Sequence, residues 1–131
     1  MPVLNEALEA VLHLINSLGL FSYAMIGPLA TQPGIAVNIG PTSPDAVFQD
    51  KNAYIPMDVT INAKHPDLKL LMGALNTIHS SLTRMREYPS GVGWEITDIA
   101  TMSLPQVIGR EPNNEWLMAS ALSVRIYQTG E

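Results

Sequence analysis

The chain has 131 residues, seven Lys and Arg against twelve Asp and Glu, a net charge of -5 and no cysteine. That length suits a single domain over residues 1–131 with a true hydrophobic core. The missing cysteines exclude a disulfide framework, a thiolate metal site and a thiol nucleophile, and the absence of a basic cluster argues against nucleic-acid binding as the main task.

Charged residues make up only 15% of the chain, against about 25% in an ordinary soluble domain. Low charge at ordinary apolar content fits a subunit whose surface is covered by neighbours. No apolar run approaches the roughly 18 residues that a membrane span requires. The first basic residue is Lys51, so the opening segment is not expected to be a signal peptide.

In chain order, "NEALEAVLHLINSLG" reads as a helix. Leu4, Leu8, Val11, Leu12, Ile15 and Leu18 recur at three- and four-residue spacing, and Gly19 is a suitable stop. "LFSYAMIGPLATQPG" has no period and reads as a connection. "GIAVNIG" is a short strand with Ile35, Val37 and Ile39 on one face, and "PTSPDAVFQDKN" is a loop of turn formers. "AYIPMDVTINA" alternates cleanly, with Ile55, Met57, Val59, Ile61 and Ala63 opposite Tyr54, Pro56, Asp58, Thr60 and Asn62. Pro56 cannot donate to a ladder, which places its end of the strand at an edge or bulge.

Pro66 and Asp67 then fit the first turn of a helix of about 20 residues, with an apolar stripe at Leu68, Leu71, Leu75, Ile78, Leu82 and Met85 and with Arg84 and Arg86 at its C-terminal end. "EYPSGVG" is a turn. "WEITDIATMS" is a strand that slips phase near Asp98–Ile99, as at a bulge. "LPQVIGREPNNE" reads as a loop, and "WLMASALSVRIYQ" as the last strand. The expected fold is α+β: an antiparallel sheet of about four strands, two helices packed on one face, in the order α-β-β-α-β-β. One sheet face stays uncovered and available to another subunit.

No catalytic constellation emerges. His13, His65 and His79 lack the i, i+4 spacing of a helical metal pair. Ser90 lies in no nucleophile elbow. Carboxylates could be drawn from Asp58, Glu95 and Asp98, but acids on strand faces are usually solvated. There is no glycine-rich phosphate loop, and no metal or cofactor is expected. The long loops 40–52 and 103–116 are candidates for docking, because Phe48, Val107, Ile108 and Trp116 are large apolar groups in or beside polar segments. With Gln49, Lys51 and Arg110 they form the expected interface set.

With this layout, the chain resembles the small tail-terminator (minor capsid, tail-completion) proteins of long-tailed bacteriophages, particularly siphophages of Gram-positive hosts. The resemblance rests on "LNEALEAVLHLINSLGL", the Pro-bounded "GPLATQPGIAVNIGP", "AYIPMDVTINAKHPDLKLLMGALNTIHSSL" and the closing strands "WEITDIATMS" and "WLMASALSVRIYQ". It implies a non-enzymatic structural virion protein at the tail–head junction, made in the host cytoplasm. Such a protein forms a homohexameric ring that caps the tail tube protein, ends its polymerisation and joins the tail to the head–tail connector protein. DNA passes through the lumen without specific binding, and no membrane is involved. The alternatives are another head–tail joining (head-completion) subunit, a small α+β enzyme with a pocket near Asp58, Thr60 and Glu95, and an adaptor docking through residues 103–116 around Trp116.

Overall fold

The structure, a computed structural model, describes residues 2–29, 33–40, 48–49, 52–112 and 114–128, with backbone alone at residues 2, 3, 48, 49, 52 and 53. In chain order the elements are α1 (Pro2–Asn16), β1 (Ala24–Ile26), β2 (Gly34–Ile39), β3 (Phe48–Gln49), β4 (Asn52–His65), α2 (Leu68–Leu82), β5 (Ser90–Gly91), β6 (Trp94–Arg110) and β7 (Trp116–Gln128). The strands form one curled sheet of order β1-β2-β4-β7-β6-β5, with β3 paired to β4 outside that path.

This corrects the expected fold. The sheet is mixed rather than antiparallel, because β1 runs parallel to β2, and it holds seven strands among the described residues instead of about four. The segment read as a connection contains β1. Three residues are too few to show an alternation, and β1 and the glycine after it are held by asparagines of two other elements, α1 and β2. The Asn16 carboxamide accepts the Ala24 N–H at 2.6 Å and donates to the Ala24 carbonyl at 3.3 Å. The Asn38 carboxamide does the same for Gly27, at 3.1 and 2.9 Å. Each side chain substitutes for a peptide group of a neighbouring strand, so the pairing depends on tertiary placement.

One apolar cluster unites both helices with one sheet face. Ala7, Leu8, Val11 and Ile15 of α1 and Leu71, Leu75, Ile78 and Leu82 of α2 meet Ile55, Met57, Val59, Ile61 and Ala63 of β4 and Met118, Leu122, Val124 and Ile126 of β7. Burying one such Ile or Leu stabilises the fold by about 1.5–3 kcal/mol.

The start of α2 is set by Asp67, whose carboxylate accepts the N–H groups of Lys69 and Leu70 at 3.0 and 3.3 Å, the usual way to satisfy orphan donors at a helix start. Pro66 therefore precedes the cap instead of occupying the first turn. The helix ends at Leu82, short of Met85, Arg84 and Arg86. Its last carbonyls are taken elsewhere: the Thr83 hydroxyl donates to His79 O at 2.6 Å and the Tyr88 hydroxyl to Leu82 O at 2.8 Å.

Pro56 shows why a proline fits in a central strand. The Asp58 carbonyl accepts the Gly40 N–H at 2.7 Å on the β2 side. Two residues earlier, Pro56 faces that same side beyond Ile39, the last residue of β2 in the ladder. Among the described residues no strand calls for a donor there.

The largest departure concerns residues 103–116. Residues 104–110, expected in a loop, continue β6, and only residues 111–115 connect it to β7. The pairing with β7 shifts register between Ile96 and Asp98, Thr101 and Ser103, Ser103 and Gln106, and Val107 and Gly109. Pro105 falls within the third irregularity. Bulges absorb the proline and break the alternation that would have revealed a strand. The first shift lies at the phase slip that the sequence shows.

Candidate functional site

The β6–β7 hairpin carries most of the expected interface residues. Its tip is short: the Asn114 N–H donates to Glu111 O at 2.9 Å and the Glu111 N–H to Glu115 O at 2.7 Å, while Asn114 adopts φ 68°, a conformation that asparagine tolerates well. Lys64, only 5% exposed, extends from β4 to donate to Glu111 Oε1 at 3.1 Å. This bridge ties the end of the hairpin to the middle of the sheet.

Beside it, Arg110 lies directly across from Trp116 in the ladder, with its guanidinium 4.7 Å from the centre of the indole. That cation–π contact covers part of the ring. Val107 and Ile108 are exposed on β6 together with Met102 and Leu104; Leu104 is the most open, at 73%.

The outer edge of β6 is nearly bare. β5 pairs only with Trp94 and Glu95, and the Ile96 N–H donates to Pro89 O at 3.0 Å. Beyond that point no described strand lies alongside β6. Trp94, Ile96 and Ile99 are buried, but from Ala100 to Arg110 every side chain is exposed or half-buried. This half of the strand has β7 on one side and no described strand on the other, and it is rich in apolar groups.

The structure therefore groups Val107, Ile108, Arg110 and Trp116 on one arm. Phe48 and Gln49 lie elsewhere: they form β3 and pair with Ala53 and Asn52 at the start of β4. Trp116 pairs with His65 at the end of β4, so the two groups are roughly 40 Å apart along that strand. Lys51 lies outside the described residues. Met102 and Leu104 were missed as surface candidates, although the uncharged run from Ile99 to Gly109 is the signal that would have found them.

The residues weighed for catalysis do not converge. Asp58 is opposite Ser123 and Glu95 is opposite Tyr127, which separates the two acids by at least about 13 Å along the sheet. The Thr60 hydroxyl donates to Asn38 O at 3.3 Å. Among the described residues, no three or more His, Asp or Glu side chains come together in a way that could hold a metal ion.

The histidines each have a local environment. His65 Nδ1 accepts the Asp67 N–H at 2.9 Å, and its ring lies edge-on to Phe21. His79 is buried, with Nδ1 2.8 Å from the Thr101 hydroxyl, and burial holds its pKa below the usual histidine value. It lies at the base of a shallow groove between α2 and β6, whose walls include Asn76, Ser80, Thr83, Leu104 and Pro105.

The face of the sheet away from the helices is built of small and polar side chains, among them Asn38, Thr60, Asn62, Ala119, Ala121 and Ser123. Towards one end it carries a cluster of Tyr54, Tyr127 and Arg125: the tyrosine rings are 4.9 Å apart, and the Arg125 guanidinium is 4.9 Å from the Tyr54 ring.

No family model matches the chain, and no curated protein matches it. Among solved structures, the chain is similar to a protein chain in the virion of a native gene transfer agent particle. The TM-score is 0.61 at 13% identity, over 95% of this chain and 94% of that one. The similarity extends through nearly all of both chains and shows a shared fold.

Proposed function

We propose that this protein is a structural subunit of a phage-like virion and, within that class, a tail terminator. The observation that supports this reading most is the fold shared end to end with a chain of a gene transfer agent virion. In this reading, residues 1–131 act as one domain. Six copies form a ring that caps the tail tube, ends its growth and joins it to the head–tail connector at the tail–head junction.

The surface chemistry is consistent with that task. An acidic subunit without a Lys/Arg cluster does not hold a passing duplex by its phosphates. The apolar half of β6, paired with β7 on one side only among the described residues, is suited to contact with other subunits. Phe48 and Gln49 at one end of the sheet, and Val107, Ile108, Arg110 and Trp116 at the other, together with Lys51, are assigned to contacts with neighbouring copies of the chain and with the tube or connector. Their separation along β4 favours two partners over one.

The test is electron microscopy of particles from the parent phage or prophage with this gene disrupted. Overlong or ragged tails detached from filled heads are expected. Normal-length tails without heads would favour a head-completion subunit, and intact particles would rule out both roles.

A further inference from the structure

Building on the virion-subunit reading, we infer that copies of this chain associate head to tail, with the outer strand β6 of one copy docking on the β1 edge of the next. Eleven large apolar side chains are exposed among the described residues, and seven of them fall in two places: Tyr23, Met25 and Ile26 at β1, and Met102, Leu104, Val107 and Ile108 on β6. Neither segment carries charge: no Asp, Glu, Lys or Arg occurs from Leu14 to Pro44, nor from Ile99 to Gly109. Arg84 lines the groove beside Leu104 and Pro105, but the apolar side chains of the two segments themselves bring no ionic group into the contact.

Their positions determine the symmetry. β1 and β6 lie towards opposite ends of the strand order, with β2, β4 and β7 between them, so one chain cannot bring its own two patches together. A two-fold contact uses one patch twice and leaves the other in water. A head-to-tail contact buries both, and repeated contacts of that kind close into a ring when the rotation allows.

The edges also limit how they meet. At β1 the outward N–H and C=O of Ala24 are already taken by Asn16. On β6, Pro105 and four register irregularities interrupt the edge. Both edges are thus poor templates for a continuous backbone ladder, which disfavours an added strand from an unrelated peptide. What remains open is side-chain packing of apolar groups from a complementary copy.

The natural absence of cysteine makes a direct test possible. Met25→Cys and Leu104→Cys substitute side chains that are 67% and 73% exposed, so each variant should keep the wild-type thermal unfolding. Purified protein is treated with a short flexible bismaleimide. The double variant is expected to give a ladder of covalent multimers, an equal mixture of the single variants a covalent dimer, and each single variant alone only monomer.

Cross-linking of either single variant alone would overturn the head-to-tail contact in favour of a two-fold one. A double variant that stays monomeric at high protein concentration would overturn self-association through these edges. Mass spectrometry of purified particles separates this inference from the reading beneath it. Particles that contain the protein alongside a failed cross-link leave the virion role standing; the expected ladder with particles that lack the protein leaves the contact standing and removes the virion role.

Discussion

β4 and β6 are two long strands of one sheet with opposite fates. β4 has neighbours on both sides for much of its length, and Ile55, Met57, Val59, Ile61 and Ala63 are all buried under the helices. β6 is longer, but it is paired along one side for most of its length, it is broken by bulges, and after Ile99 it buries nothing. Apolar content is similar in the two. The difference shows that burial follows from the layer covering a strand and from its place in the sheet, more than from the strand's own composition. Where apolar residues persist without cover, they are available to another molecule.

The sharpest way to break this comparison is to truncate matched residues on the two strands. Ile61→Ala on β4 removes a fully buried side chain and is expected to cost about 2–5 kcal/mol. Leu104→Ala on β6 should stay within about 0.5 kcal/mol in the isolated chain. Denaturant unfolding of the two variants checks both values, and equal losses would mean that β6 is covered after all.

A second experiment probes the tie between the strands. Glu111→Gln leaves Lys64 almost buried beside a neutral partner, with an expected loss of about 1–3 kcal/mol. Because Glu111 itself is partly exposed, the lower half of that range is favoured. Lys64→Met combined with Glu111→Gln should recover part of the loss in a double-mutant cycle.

The third probe concerns the joint between α2 and β6. His79 has its pKa lowered by burial, so above about pH 6.5 it is neutral both folded and unfolded, and its contribution to stability is intact. As pH falls below that value, the unfolded chain takes up a proton that the folded chain resists, and stability declines until the native His79 itself protonates. His79→Gln should remove this part of the pH dependence, seen as a shallower loss of unfolding free energy between about pH 7 and pH 5. An unchanged slope would place the titration elsewhere.

A modest effect is expected at the helix start, where Asp67→Ala should cost about 1 kcal/mol without altering cross-linking through β6. A change in cross-linking would mean that α2 takes part in the contact.

Legibility in the sequence divided along physical lines. The buried face of β4 and the stripe of α1 follow from period, because each depends on residues within a turn or two of one another; the start of α2 was read one or two residues early, since Asp67 caps the helix from outside its first turn. The polar-face position of Asp58 was also legible, since it alternates with the buried Met57 and Val59 along β4. β1 was not legible, because asparagine side chains of two other elements, Asn16 of α1 and Asn38 of β2, complete the hydrogen bonds of Ala24 and Gly27. The second half of β6 was hidden because Pro105 and Gly109, which normally punctuate loops, sit at bulges of a strand held by β7.

The sequence by itself determined the helices, the core side of the central strands and the low charge of the surface, all of which are local or compositional. Only the tertiary structure decided the mixed strand order, the seating of Lys64 against Glu111 and the separation of the two apolar edges. Those features are set by contacts between residues far apart in the chain, and such contacts have no period for a sequence to display.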